Sequence, residues 1–115
     1  MKKRASRNCC RVLHLPMKKE WFDMVASGEK KEEYRLTSDH WLARINAPLI
    51  NDVETGKNVV VCFRNGYSKN SPTQYRRLLR VSRRDESIHP EWGEDGYKGI
   101  NHFVLSIGEE CELVN

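Results

Sequence analysis

The apolar positions of the chain come in short groups separated by polar stretches. Val12, Leu13 and Leu15 make the first, a short strand that Pro16 is expected to end because its ring removes a backbone donor. Over residues 17–27 the spacing turns helical. Met17, Trp21, Met24 and Val25 share one face, Glu20, Asp23 and Ser27 look away, and Gly28 supplies a left-handed stop. A second helix is predicted over residues 39–45, with Ser38 as N-cap, Trp41, Leu42 and Ile45 as its apolar set and Pro48 barring continuation. Residues 46–57, with Pro48, Asn51, Asp52 and Gly56, read as a loop.

The clearest strand is Val59, Val60, Val61, Cys62 and Phe63, apolar on both faces and therefore central. Residues 65–73 are turn chemistry throughout, a further strand is predicted over 74–84, a loop rich in Gly and acids runs to Gly99, and residues 102–107 alternate as a last strand. Short strands, long loops and two helices near the front imply an α+β fold, a small barrel with helical decoration.

Length and charge sharpen this picture. The 115 residues allow one domain with one core, so any site is shallow or lies along a groove. The formal charge of +4 is unevenly spread: residues 1–11 carry +5, residues 12–84 carry +6 and residues 85–115 carry −7. Residues 1–11 read as a flexible basic arm, a place for an acidic protein partner, and residues 12–115 as the single domain. No apolar run approaches the roughly 18 residues of a membrane span and no apolar segment follows the basic start, so the expectation is a cytoplasmic chain with no membrane contact. Cys9, Cys10, Cys62 and Cys111 lack a C-x-x-C pair and His14, His40, His89 and His102 lack ligand spacing, so no metal or cofactor is implied.

The stretch Gly28-Glu29-Lys30-Lys31-Glu32-Glu33-Tyr34-Arg35 carries the most chemistry. Extended, it puts Lys31, Glu33 and Arg35 on one face and Lys30, Glu32 and Tyr34 on the other. Such a strand is either a solvated edge or a cleft floor where cations meet an anionic ligand and a carboxylate accepts hydrogen bonds from it. The run fits G-x-K-x-x-E-x-R and thereby resembles the ASCH domain, a PUA-like β-barrel superfamily linked with RNA. The preceding W-F-D-M-V-A-S-G, the later F-R-N-G-Y-S-K-N-S-P-T and the final H-F-V-L-S-I-G extend the likeness, to a bacterial and phage branch, over roughly residues 12–108. The resemblance implies a PUA-like barrel with flanking helices and a cleft for RNA or a nucleotide, with Gly28, Lys30, Glu33 and Arg35 as motif residues.

One branch of that family hydrolyses the acetyl amide of N4-acetylcytidine with a Lys and a Thr of this motif and a later Glu. Lys30 stands at the Lys position, whereas Glu33 occupies that of the Thr, so the nucleophile of that branch is missing. Hydrolysis here would need Glu33 as a general base on water and Lys30 at the oxyanion. Glu86 and Glu91 are candidates for the later Glu by order alone.

Two further groups bear on a ligand. The loop residues Arg64, Asn65, Tyr67, Ser68, Lys69 and Asn70 are either an ordinary polar turn or a set that bonds a base edge, stacks through Tyr67 and holds phosphate through Lys69 or Arg64. Arg76, Arg80 and Arg84 would line one face of their strand as a phosphate track, or the strand is a charge-protected edge paired with the acidic end. Trp21 and Trp41 read as core, and Trp92 as either a stacking cover or an anchor for its loop. The expected function is binding of RNA or a nucleotide-derived small molecule by the motif and the Tyr67 loop. The alternatives are a small hydrolase, amidohydrolase or ribonuclease, with Lys30 and Glu33 catalytic, and an interaction module with an inert cleft.

Overall fold

A computed structural model describes residues 3–6, 11–85, 90–92 and 100–114. The elements run β1 (Lys3–Ser6), β2 (Arg11–Met17), α1 (Lys19–Ser27), β3 (Glu32–Leu36), α2 (Asp39–Arg44), α3 (Ala47–Glu54), β4 (Val59–Asn65), β5 (Thr73–Arg84), a 3-10 turn (Pro90–Trp92) and β6 (His102–Val114). They make an α+β domain of one mixed sheet in the order β1-β6-β5-β4-β2, with β3 also paired to β6.

The valine run explains the centre of the sheet. Val59, Val60, Val61, Cys62 and Phe63 are all buried because β4 has β2 on one edge, parallel, and β5 on the other, antiparallel. Leu13, Leu15 and Met17 of β2, Val61 and Phe63 of β4, and Phe103 and Leu105 of β6 belong to one core with Val25 of α1, Ile45 and Leu49. The three helices therefore lie on one face of the sheet. Val60 and Cys111, with Tyr75 and Leu113 against them, form a small second cluster. Cys62 and Cys111 are buried free thiols, and Cys9 and Cys10 lie outside the described residues.

Several expectations need correcting. Residues 46–57 are not a loop: Asn46 caps α3, its side-chain oxygen accepting from Leu49 N at 3.1 Å, and Pro48 sits in the first turn, where a missing N–H costs no helical bond. The same proline was expected to bar helix, and it opens one. Pro16 does not end its strand either, since β2 continues to Met17 and is an edge of the sheet, where a residue without N–H is tolerated. Helix α1 accordingly starts two residues late, and Met17 is buried as part of β2. Lys3–Ser6, expected within the arm, pairs in parallel with Cys111–Val114, and Arg11 opens β2.

The expected barrel is an open sheet. Among the described residues no ladder joins the edge strands β2 and β3. What spans the gap between them is a side chain, with Arg35 Nη2 donating to Pro16 O at 2.8 Å. No helix among the described residues is long and apolar enough to cross a membrane.

The cap on α3 gives a measurable consequence. Asn46→Ala removes the acceptor for Leu49 N and should lower stability by about 1 kcal/mol, read as a fall in the urea midpoint at constant slope. An unchanged midpoint contradicts the cap.

Candidate functional site

The charged motif is legible step by step in the backbone. Gly28 ends α1 at φ 84°, a left-handed conformation that costs glycine little, and its N–H returns to Val25 O. Lys30 N then donates to Met24 O at 3.0 Å, which turns the chain back under the helix. An added Cβ at Gly28 meets nothing within 4 Å, so what calls for glycine here is the left-handed turn, and Gly28 is not among the residues that line the cavity described below.

Within β3 the alternation is as expected. Glu33 and Arg35 pair across β6 with Leu105 and Phe103 on the core side, while Glu32 and Tyr34 pair with Ser106 and Val104 on the other. Lys30 departs from it. It precedes the strand, so its side chain is free to reach Glu33 as well as the ring of Tyr34, and it is only 1% exposed.

The three charges form a line. Lys30 Nζ lies 3.3 Å from Glu33 Oε1, and Glu33 Oε2 accepts from Arg35 Nη2 at 2.7 Å. Glu33 Oε1 also accepts from Tyr34 N at 3.0 Å, so the carboxylate caps the strand edge that β6 leaves open. Lys30 Nζ further donates to Glu32 O at 2.6 Å and to Trp92 O. The Trp21 and Tyr34 rings lie near it, at 5.6 and 4.9 Å from their centroids. Burial pushes the Lys30 ammonium below the ordinary lysine value of 10.5, and Glu33 works against that shift.

Above this line opens a cavity of about 250 Å³ between the edges of β2 and β3. Glu33 and Arg35 are on its floor. Its lining includes five aromatic residues from five parts of the chain: Trp21 of α1, Tyr34 of β3, Trp41 of α2, Tyr67 of the β4–β5 loop and Trp92. Arg35 lies over the Trp41 ring with its guanidinium carbon 4.8 Å from the centroid, a cation–π contact. Lys18 and Ser38 add polar groups at the lining.

Residual hydrogen-bonding capacity is what the floor can offer. A carboxylate presents about four lone-pair sites, of which Oε1 uses two and Oε2 uses one, leaving an acceptor on Oε2. Both bonds described for Arg35 fall on Nη2, so Nε and Nη1 keep their donors. The floor thus presents an acceptor beside donors.

The structure does not gather all the residues proposed for ligand contact. Of the Tyr67 loop only Tyr67 reaches the cavity lining, 89% exposed. Arg64 Nη1 donates to Ser68 O, Asn65 N to Pro72 O and Asn70 N to Ser68 Oγ, so Arg64, Asn65, Ser68 and Asn70 brace the loop, and Lys69 is exposed away from the lining.

The arginines of β5 are also separated. Where Leu78 faces Ile107 and Arg80 faces Ser106, β5 carries an extra residue, which reverses the side-chain alternation. Arg76 therefore lies on the helix side, donating to Ala26 O at 3.2 Å, whereas Arg80 and Arg84 lie on the opposite side. Arg84 grips Glu32 through two bonds of 3.1 and 3.3 Å, and Arg77 is 3.9 Å from Glu109. Three guanidinium groups in a row on one face is not what forms.

Trp21 and Trp41, read as core, do pack against the core and line the cavity as well. Trp92, read as either a stacking cover or an anchor for its loop, lines the same cavity. Pro16, Met17, Tyr34 and Leu36 were not singled out as lining residues; only the pairing of β2 and β3 on opposite sides of the gap identifies them. Glu91 is exposed in the 3-10 turn and Glu86 lies outside the described residues. Among the described residues no group of three or more His, Cys, Asp or Glu is placed to hold a metal. Comparison with protein-family models, with curated proteins and with solved structures finds no match for this chain.

The ion line makes two predictions. Glu33→Ala strands the buried Lys30 charge and should cost about 3–5 kcal/mol in urea unfolding, with Lys30→Met in the same background restoring part of the loss. A cost under about 1 kcal/mol contradicts the pairing. The second concerns pH. Between the lowered value of folded Lys30 and 10.5 the unfolded chain binds more protons, so this group's contribution to stability rises with pH through that window. The wild type should gain on Lys30→Met between neutral and alkaline pH, and a gap that stays constant or moves the other way refutes the assignment.

Proposed function

We propose that the chain is an ASCH-type domain of the PUA-like superfamily, a half-closed version of that barrel, and that it binds a nucleobase of RNA or of a nucleotide-derived small molecule in the cavity over Glu33 and Arg35. One observation carries the reading: five aromatic residues line a cavity whose floor holds an acceptor beside donors. Aromatic walls suit a flat ring, since every base offers a π-face, and a donor beside an acceptor is what the Watson–Crick edge of a base presents. The volume of about 250 Å³ lies just below the roughly 300–1,000 Å³ of pockets for drug-sized ligands, so it fits one base or nucleoside and no folded oligonucleotide. In this reading Arg35 and Glu33 read the base edge, Trp41 supports the guanidinium, and Tyr67 and Trp92 flank the ring. A cytoplasmic location is consistent with such a ligand.

Binding is favoured over hydrolysis by the state of Lys30. Its ammonium is saturated by Glu32 O, Trp92 O and Glu33, which leaves it no donor for an oxyanion.

Titration of the chain with nucleosides and short single-stranded RNAs, followed by tryptophan fluorescence and calorimetry, tests the proposal. Tyr67→Ala removes a ring that touches little else and should weaken binding roughly 5- to 100-fold, the worth of one base–aromatic stack. Nucleoside affinity should change little with salt, because the contacts are to the base and not to phosphate. Failure of every nucleoside and oligonucleotide to bind at millimolar concentration, or affinity untouched by Tyr67→Ala and by Arg35→Met, overturns it. Deacetylation of N4-acetylcytidine, or cleavage of RNA, above a Glu33→Gln control would replace it with the hydrolytic reading.

A further inference from the structure

We propose that Lys30 is a positioning residue, which fixes the Trp92 wall of the cavity from behind and does not meet the ligand. The part of this that concerns affinity rests on the nucleobase-binding reading; the part that concerns the placement of Trp92 does not.

The geometry is that of a saturated clamp. The Lys30 side chain has no exposed surface and Lys30 is not among the cavity's lining residues, although its partner Glu33 and its partner Trp92 both are. An ammonium has three donors, and Trp92 O, Glu32 O and Glu33 Oε1 take them. The link to Trp92 crosses 62 residues of sequence, from the end of α1 to a three-residue 3-10 turn. A buried donor on the last carbonyl of this turn is a strong restraint from outside it. The charge itself is retained because Glu33 neutralises it, and Glu33 in turn is held by Arg35, whose other bond is to Pro16 O. One continuous set of bonds therefore runs from the Trp92 wall, beneath the floor, to the β2 edge on the far side. A lysine aimed at a ligand would itself line the cavity; this one is enclosed behind Trp21, Glu33, Tyr34 and Trp92, which do.

The test uses the full chain labelled with fluorotryptophan, whose three lines in fluorine NMR report Trp21, Trp41 and Trp92, with Trp92→Phe assigning the last. In Lys30→Met the Trp92 line should move towards the position of free indole while the Trp41 line stays. Cytidine and adenosine are the probes for affinity. Lys30→Met should weaken them roughly 5- to 100-fold in the wild-type background and add nothing in the Trp92→Ala background, because without the ring there is no wall to lose. Equal losses in both backgrounds mean that Lys30 acts on the ligand directly or through Glu33 on the floor, and overturn the proposal. An unmoved Trp92 line overturns it too, as does a moved line with unchanged affinity. Where neither nucleoside binds the wild type, the proposed function fails and the Trp92 line alone decides the clamp. Lys30→Gln, polar and one atom shorter, must displace the same line, which keeps the test open if Lys30→Met does not fold.

Discussion

The carboxylate of Glu33 holds together parts of this protein that the backbone leaves apart. It lies at the free edge of β3, caps that strand's Tyr34 N–H, and receives Lys30 on one oxygen and Arg35 on the other. Through Arg35 it reaches β2, and through Lys30 it reaches Trp92. Burying three charges in a row costs desolvation, which this mutual pairing offsets together with the carbonyls of Glu32, Trp92 and Pro16, and removing Glu33 leaves two cations in a low dielectric. The geometry of the cavity follows, since its floor, its β2 side and its Trp92 wall are all fixed to one side chain.

An open sheet closed by a salt-bridged side chain differs from a closed barrel in what the seam can do. A ladder of backbone bonds would have consumed the edges of β2 and β3 and left no space. Here Arg35 spans the gap by one bond to Pro16 O, and the rest of the gap becomes the cavity. The missing N–H of Pro16 suits a strand that no ladder joins on that side among the described residues. Trp21 and Trp41 then work twice, sealing the core beneath the helices and facing the cavity above.

Much of this was legible in the sequence, and the exceptions have physical reasons. The valine run marked the central strand because complete burial of both faces needs an unbroken apolar stretch. The alternation of Glu33 and Arg35 against Glu32 and Tyr34 held because β3 is regular. Lys30 escaped it, because strand parity says nothing about a residue in the turn before the strand. Helix α3 was hidden by Pro48, which reads as a breaker unless Asn46 is recognised as the cap two residues earlier. The arginines of β5 were misaligned by a bulge next to Leu78, which no count by twos detects. Most of the cavity lining was illegible for a different reason: Pro16, Trp21, Leu36 and Trp41 meet only once two edge strands are brought face to face, and edge identity is a property of topology.

The position of β6 in the chain sets the order in which any of this can form. It is the last strand in sequence, yet β5 pairs with one of its edges and β1 and β3 share the other, and among the described residues β1 and β3 pair with no other strand. Before β6 is in place, β2, β4 and β5 can already make a three-stranded unit, but β3 has no neighbour and Glu33 has no fixed strand to sit on. Contacts of such long sequence separation are slow to close. The ion line and the cavity above it thus belong to the final stage of folding, and a nascent chain carries Lys30, Glu33 and Arg35 in water, as ordinary solvated charges, until its last strand arrives.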